Sequence, residues 1–208
     1  MQKIVISNPA MEYFIAKFRN EKTDPYECNV CVDNISVFLA GEISRYLSTE
    51  EVNVKTPLGE KNCSIINEEV ILVPVLRAGI SMMNSFQRIL PKSKIGFVWA
   101  HRDKNIKPVI DKHKFPKDEH GEYDIKEKTV IILDTMLATA GTMNACAELI
   151  YEYSPKQILC ASILSTQTGF DHLSDLISVV VTASVSDVLD EHSYVYPGVG
   201  DSGDRLYG

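Results

Sequence analysis

From residue 70 onward, short runs of consecutive apolar residues alternate with segments whose apolar positions recur at helical spacing. The runs predict five strands, at residues 70–74, 94–101, 129–134, 157–164 and 177–183. The segments between them predict helices over 79–90, about 142–153 and near 169–175. A strand that is apolar along its whole length is buried on both faces. The pattern therefore favours an α/β fold with a central parallel sheet flanked by helices.

The first 69 residues have a different pattern. Helical spacing predicts helices over residues 10–20 and 29–47. Residues 48–68 are polar, and Pro57-Leu58-Gly59 is typical of a turn. No repeat or shift in composition marks a domain boundary, and 208 residues suit a single core. We therefore expect one domain over residues 1–208.

Residues 102–127 interrupt the alternation of strands and helices. This stretch holds 14 charged residues in 26, seven of each sign, and it follows the end of a predicted core strand. Long irregular loops inside a domain are uncommon and are usually functional or disordered. The stretch is interpreted as a flexible hood over an active site, and a solvated hairpin without a role is the alternative.

The charge balance narrows the classes of partner. Lys and Arg number 21 against 28 Asp and Glu, which gives a net charge of −7. A protein that coats nucleic acid needs a basic face, so nucleic acid is not expected as a partner. A local group of Arg side chains and backbone N–H groups can still bind one small anion. No apolar run approaches the roughly 20 residues of a membrane span, and the N-terminus does not resemble a signal peptide. These features predict a cytoplasmic protein without membrane contact.

The clearest candidate chemistry lies in the segment from Val130 to Met143. A predicted buried strand ends in the carboxylate of Asp134, and small and hydroxyl residues then lead into a helix. The first N–H groups of a helix lack intrahelical partners and favour an anion such as a phosphate. Asp134 can accept hydrogen bonds from sugar hydroxyls, so the segment suits a ribose 5-phosphate group. A capped helix without a ligand explains the spacing equally well.

Three segments in this order resemble the type I phosphoribosyltransferases, and among them the uracil phosphoribosyltransferases. Leu133–Thr142 is similar to the signature loop of that family, in a form with Met136-Leu137-Ala138-Thr139. Val73–Met83 resembles its PxLRAGxxMM segment, and Tyr194–Gly208 resembles its PGxGDxGDRxxG segment. The resemblance covers the whole chain, and three spaced motifs are much more specific than one loop.

The resemblance implies an activity, a cofactor and partners. The family transfers the phosphoribosyl group of phosphoribosyl pyrophosphate to uracil and forms UMP and pyrophosphate in pyrimidine salvage. It implies Mg²⁺ held mainly through the pyrophosphate, a homodimer or higher homo-oligomer, and GTP as a possible effector.

The resemblance also assigns roles to residues. It implies catalytic roles for four residues: Arg77, Arg102, Asp134 and Asp201. The donor-binding residues that it implies are Arg77, Arg102, Asp134, Thr135, Met136, Leu137, Ala138, Thr139, Ala140, Gly141, Thr142 and Asp201. Within a base-recognition segment over residues 192–208, uracil is held at positions matching Val195, Gly200, Asp201 and Ser202. Taken alone, either arginine is also compatible with a surface ion pair, and the last glycines with a frayed tail.

Several positions depart from the family pattern. Thr135 stands where the uracil enzymes usually have Pro, and Ala140 stands where they usually have Gly. Residues 166–169, which include Gln167, replace Ala-Pro-Glu-Gly, and Tyr196 replaces a smaller aliphatic residue. The departures suggest a divergent member with altered efficiency or base preference. A phosphoribosyltransferase for another base and a weakly catalytic, pyrimidine-sensing regulatory relative stay open as alternatives.

Overall fold

A computed structural model describes residues 1–103, 107–186, 188–190 and 193–208. The strands are β1 Gln2–Val5, β2 Thr49–Thr56, β3 Gly59–Ile66, β4 Val70–Leu76, β5 Lys94–Ile95, β6 Phe97–Arg102, β7 Pro108–Lys114, β8 Thr129–Leu137, β9 Gln157–Thr166, β10 Ile177–Ser186, β11 Val188–Leu189 and β12 Val195–Tyr196. The α-helices are α1 Pro9–Arg19, α2 Pro25–Ile43, α3 Ile80–Ile89, α4 Gly141–Tyr151, α5 Gln167–Asp171 and α6 Ser202–Tyr207. No helix in these ranges has both the length and the apolar character needed to cross a bilayer.

The main sheet has eight strands and is mostly parallel. Seven of them follow the order β1-β10-β9-β8-β4-β6-β7, and β5 pairs with β4 beside this path. Every neighbouring pair is parallel except β6 and β7. All five predicted strands belong to this sheet, although the second is divided into β5 and β6. The α/β fold with a mainly parallel central sheet is therefore confirmed.

The continuous apolar runs arise because both faces of the sheet are covered. In β8, Ile131 and Leu133 join the core on the side of α2, which we call the α2-side core. Val130 and Ile132 join the core on the side of α4, the α4-side core. Successive side chains of a strand point to opposite faces, so a strand buried on both faces needs apolar residues at every position.

The predicted helices are present, and their starts follow capping chemistry. The Asn8 side chain accepts hydrogen bonds from the N–H groups of Ala10 and Met11 at the start of α1. Asp24 caps α2, and Pro25 occupies its first position. Helix α2 therefore begins four residues before the predicted residue 29, because a polar cap followed by proline starts the helix ahead of its apolar stripe.

Strands β2 and β3 form an antiparallel hairpin that the apolar pattern did not predict. The turn expected at Pro57-Leu58-Gly59 joins them. Most side chains of the hairpin are exposed. A strand without a buried face does not need the apolar repeat on which sequence patterns depend, so only the turn was predictable.

The charged stretch over residues 102–127 is partly built into the fold. Strand β7 returns antiparallel to β6, and Phe115 and Ile125 lie in the α4-side core at 2% and 0% exposure. Residues 104–106 of the stretch lie outside the described residues. The hairpin form is present and its second half is anchored, whereas closure of the stretch over a ligand stays a prediction.

The C-terminal residues are docked onto the α2-side core. Val199 and Leu206 are 5% and 3% exposed and belong to that core. The Arg205 guanidinium donates to the carbonyl oxygens of Asn20 and Phe18 near the end of α1. The alternative of a frayed tail is therefore wrong for residues 193–208, and only residue 192 of the expected base-recognition segment lies outside the described residues.

Candidate active site

A cleft of about 490 Å³ opens where β4, β6 and β8 end. The carboxyl ends of parallel strands meet at one edge of a sheet, and in α/β folds that edge is the usual ligand site. The cleft is lined by residues at the ends of β4, β6 and β8, by residues 138 and 142, and by residues 193–195 and 200–203. Two chain segments that are distant in sequence thus meet in one cavity.

Most of the predicted site residues line this cleft. The predicted donor-binding residues on its wall are Arg77, Arg102, Asp134, Thr135, Met136, Ala138, Thr142 and Asp201. All four predicted uracil-binding residues line it as well: Val195, Gly200, Asp201 and Ser202. Four predicted loop residues do not line it: Leu137, Thr139, Ala140 and Gly141. Leu137 and Ala140 instead contribute to the α4-side core, at 1% and 3% exposure.

In the loop from β8 to α4, Ala140 has a left-handed backbone conformation. Its φ is +67°, in a region that glycine adopts freely and that costs an alanine about 1–2 kcal/mol. Since Ala140 is buried in the α4-side core, its methyl group is withdrawn from the cleft. The replacement of the usual Gly by Ala140 therefore adds a methyl group to the core and leaves the cleft wall unchanged. Helix α4 begins at the next residue, and the N–H groups of its first turn are free of intrahelical partners.

Arg77 and Arg102 reach the cleft from neighbouring strands. The Arg77 Nη2 atom lies 2.5 Å from Asp204 Oδ1 in a partly exposed ion pair. The Arg102 Nη1 atom donates to the Ser193 carbonyl oxygen at 3.4 Å. Both guanidinium groups therefore touch the C-terminal segment as well as the cleft. Two exposed cations on one cavity wall can meet a ligand that carries several negative charges.

Asp134 lines the cleft and is partly buried. Burial raises the pKa of its carboxyl to about 7, while the Met136 N–H and the Arg102 charge act in the opposite direction. Removal of water from a carboxylate disfavours its charged form, which accounts for the direction. The group can therefore be protonated or ionised near neutral pH. The protonated form can donate a hydrogen bond to a sugar hydroxyl, and the ionised form can accept one from it.

The C-terminal segment presents backbone and small side chains to the cleft. Asp201 Oδ1 accepts from the Asp204 N–H at 3.0 Å and thereby caps α6. Gly200 has a φ of +73°. A Cβ on Gly198 would lie 2.1 Å from the Val195 carbonyl oxygen, so the chain path there requires glycine. The glycines thus allow a tight backbone course beside the cleft.

Several residues of the cleft were given no role by the sequence. Trp99 and Tyr194 line it, and Trp99 is the single tryptophan of the chain. His101 also lines it, and its Nδ1 atom lies 2.7 Å from Asp111 Oδ2 on β7. Trp99 and His101 precede the predicted Arg102 in the second half of β6, a position that could have identified them. The approach of Asp204 to Arg77 depends on the tertiary path of the chain and left no signal in the sequence.

A second cavity, of about 570 Å³, lies at the opposite edge of the sheet. It is bordered by Ile65, Val70, Leu90 and Lys94, near the starts of β4 and β5. None of the predicted site residues borders it. Cavity volume alone therefore does not distinguish the candidate site, whereas the convergence of charged side chains at the strand ends favours the first cleft.

Comparisons with known proteins agree with the architecture of the cleft. The family model for uracil phosphoribosyltransferase matches residues 5–208. A protein named uracil phosphoribosyltransferase from Dictyoglomus turgidum is 35% identical, over 99% of this chain and 98% of its own length. One of the same name from Clostridium beijerinckii is 33% identical, over 100% and 99%.

Solved structures show the same relationship at the level of the fold. A protein from Aquifex aeolicus superposes with a TM-score of 0.89 at 27% identity, over 99% of this chain and 98% of its own. A hypoxanthine-guanine phosphoribosyltransferase from Bacillus anthracis has a TM-score of 0.52 at 15% identity, over 72% and 76%, and so shares the fold alone. The match of the family model over nearly the whole chain, together with relatives above 30% identity, places the chain in the uracil phosphoribosyltransferase family.

Proposed function

We propose that this protein transfers the phosphoribosyl group of phosphoribosyl pyrophosphate to uracil and releases UMP and pyrophosphate. The observation that supports this proposal most directly is that Arg77, Arg102 and Asp134 line one cleft together with the C-terminal segment. Membership in the uracil phosphoribosyltransferase family supports the same activity. The reaction belongs to pyrimidine salvage, because it makes a nucleotide directly from a free base.

The arginines are proposed to stabilise the leaving pyrophosphate. Negative charge grows on that group as the bond to the ribose carbon breaks, so preorganised cations lower the barrier. Arg77 already has an anionic partner in Asp204, at 2.5 Å. We propose that the pyrophosphate replaces or shares this partner, since a carboxylate and a phosphate offer similar oxygen pairs to a guanidinium.

The β8–α4 loop is proposed to hold the ribose 5-phosphate. Asp134, Thr135, Met136, Ala138 and Thr142 line the cleft beside the start of α4. Backbone N–H groups at a helix start stabilise a phosphate, and hydroxyl groups can add donors. The partly buried Asp134 carboxyl is proposed to bind the ribose hydroxyls. Leu137, Thr139, Ala140 and Gly141 are proposed to act through the shape of the loop.

The base is proposed to bind to the C-terminal segment. Val195, Gly200, Asp201 and Ser202 line the same cleft as the arginines. Uracil is flat and small, and its edge offers both hydrogen-bond donors and acceptors, which peptide groups can match. Attack by uracil N1 on the ribose carbon would then occur between the two halves of the cleft.

Magnesium fits this cleft mainly as a ligand of the donor. Asp134 and Asp201 provide oxygen atoms, which Mg²⁺ prefers, on its wall. Within the described ranges, no three His, Cys, Asp or Glu side chains group closely enough to hold a metal ion. We propose that Mg²⁺ is held through the pyrophosphate oxygens, where it supplies positive charge that stabilises the leaving group.

Hood closure and assembly are further parts of the proposal. The stretch over residues 102–127 starts at the cleft with Arg102, and its closure would exclude water that otherwise hydrolyses the donor. One domain over residues 1–208 is proposed from the length and even composition of the chain. A homodimer or higher homo-oligomer, and GTP as an effector, are proposed from the family resemblance. Light scattering of the purified protein measures the assembly, and initial rates with and without GTP measure the effector response.

The activity is tested by measuring pyrophosphate release. Purified protein is mixed with Mg²⁺, phosphoribosyl pyrophosphate and one base at a time: uracil, cytosine, hypoxanthine or orotate. We expect release with uracil well above the rate without a base. Release with another base alone would identify a phosphoribosyltransferase of different specificity. Salt-sensitive RNA binding without release would identify the regulatory alternative instead.

A further inference from the structure

A buried pair of hydroxyl groups joins the two halves of the cleft. Thr135 lies in β8, directly after Asp134, and Ser202 is the first residue of α6, directly after Asp201. The Thr135 hydroxyl donates to the Ser202 Oγ atom at 2.9 Å. Thr135 is 0% exposed and Ser202 is 4% exposed. Because the pair is shielded from water, water does not readily replace this hydrogen bond.

The link joins residues that are distant in sequence. The two residues are 67 positions apart, and both line the cleft. One lies next to the carboxyl group proposed to bind ribose, and the other lies in the segment proposed to bind the base. The hydrogen bond therefore connects the two substrate regions through side chains of this protein.

A hydroxyl group has one donor hydrogen and two acceptor lone pairs, so each member of the Thr135–Ser202 pair can donate or accept. When Thr135 donates to Ser202 Oγ, the Ser202 hydrogen stays available to an acceptor in the cleft. The carbonyl oxygens of a pyrimidine base are acceptors of this kind.

We propose that Thr135 is a positioning residue, whose hydroxyl orients Ser202 to donate a hydrogen bond to a carbonyl oxygen of the bound base. The inference rests on the proposed function, because it assigns a role within base binding. Thr135 acts through Ser202, so loss of its hydroxyl weakens binding of the base more than binding of the donor. The sequence resemblance placed Thr135 among the donor-binding residues, and the proposal moves its side chain to the base side.

Four variants test the link: Thr135→Val, Thr135→Ser, Ser202→Ala and the double variant Thr135→Val/Ser202→Ala. Valine keeps the shape of threonine without the hydroxyl, and serine keeps the hydroxyl. We expect Thr135→Val to raise KM for uracil about 5- to 10-fold, the size typical of one hydrogen bond, and to raise KM for phosphoribosyl pyrophosphate less. Thr135→Ser should stay within about twofold of the wild type, and the double variant should resemble Ser202→Ala alone.

Thr182→Val is the matched control. Thr182 is 0% exposed and accepts from the Ser165 hydroxyl at 2.8 Å, in a pair between β10 and β9. The same chemical change there removes a buried hydrogen bond without touching the C-terminal segment. We expect a lower melting temperature with an unchanged ratio of the two KM values.

The proposal is overturned if Thr135→Val leaves KM for uracil unchanged, if KM for the donor rises as much, or if the two single effects multiply in the double variant. A Thr135→Ser variant as impaired as Thr135→Val also overturns it. If the wild type forms no UMP, the proposed function is wrong, but the role of the Thr135–Ser202 hydrogen bond can still be tested by amide hydrogen exchange. Faster exchange over residues 195–208 in Thr135→Val, but not in Thr135→Ser or Thr182→Val, supports it; equal exchange in all of them overturns it.

Discussion

At the scale of single residues, the charge at the mouth of the cleft depends on Arg77. Its guanidinium binds Asp204 at 2.5 Å while about half of its side chain stays exposed. An exposed ion pair contributes at most about 1 kcal/mol to stability. We therefore expect the charge of Arg77 to matter mainly for binding an anionic ligand and only a little for the stability of the fold.

Substitution Arg77→Ala should lower kcat/KM about 100- to 1,000-fold, because removal of one preorganised group for transition-state charge has effects of this size. The melting temperature should change little. The matched control is Arg88→Ala, which breaks the Arg88–Asp33 ion pair of 2.6 Å outside the cleft. Steady-state rates with both variants make the comparison, and an Arg77→Ala variant with wild-type turnover would contradict the pyrophosphate role.

Two glycines of the C-terminal segment differ in the space that they leave for a side chain. A Cβ on Gly198 would meet the Val195 carbonyl oxygen at 2.1 Å, whereas a Cβ on Gly200 would have no heavy atom within 4 Å. Gly200→Ala therefore faces only the strain of its φ of +73°, about 1–2 kcal/mol. We expect Gly198→Ala to lower kcat/KM for uracil more than tenfold, and Gly200→Ala to lower it less. Equal activity of the two variants in a UMP assay would show that the backbone course at Gly198 is not required.

The carboxyl of Asp134 makes stability depend on pH. Burial disfavours the charged form and raises its pKa in the folded protein to about 7, well above the ordinary value for an aspartate. Its stabilising contribution is therefore present below about pH 4 and is lost as the pH rises through 7. In urea unfolding, we expect the stability of Asp134→Asn relative to the wild type to increase between about pH 4.5 and 8. A difference that is constant over this range would mean that Asp134 does not titrate as described.

At the scale of elements, strand ends and helix starts bring the site together. Strands β4, β6 and β8 deliver Arg77, Arg102 and Asp134 to one edge of the sheet. The residues were predictable from sequence because each follows or ends an apolar run, and parallel strands end at the same edge. Which loop residues face the cleft was not predictable, since Leu137 and Ala140 turn into the α4-side core.

The hairpins show where an apolar pattern stops being informative. Strand β8 was predictable because both of its faces are buried. Strands β2 and β3 are mostly exposed, and β7 is an edge strand of mixed burial. None of these three strands therefore requires an apolar repeat in the sequence. Strand β1 has four residues and mostly exposed side chains, which leaves the same weak signal.

The second half of the charged stretch should behave as part of the core. Ile125 is 0% exposed in the α4-side core, and removal of a buried isoleucine side chain to alanine costs about 2–5 kcal/mol. Its exposed neighbour Lys126 is the control, for which an alanine substitution should change stability by about 0.5 kcal/mol or less. Urea denaturation of Ile125→Ala and Lys126→Ala measures both. Equal stability of the two variants would mean that this half is not anchored as described.

At the scale of the whole molecule, an acidic protein brings two arginines together with two aspartates in one cleft. The net charge is −7, yet Arg77 and Arg102 border the same cleft. The net charge therefore describes the average surface, while the site depends on where two arginines meet. The C-terminal segment completes this arrangement: its α6 docks on the α2-side core, and its residues 200–203 close the cleft.

The most direct test of the account is one incubation in which bases compete. Full-length protein receives Mg²⁺, phosphoribosyl pyrophosphate and equal concentrations of uracil, cytosine, hypoxanthine and orotate, and the nucleotide products are separated and identified by mass. The account predicts UMP as the main product. A different nucleotide as the main product, or no nucleotide at all, would contradict it.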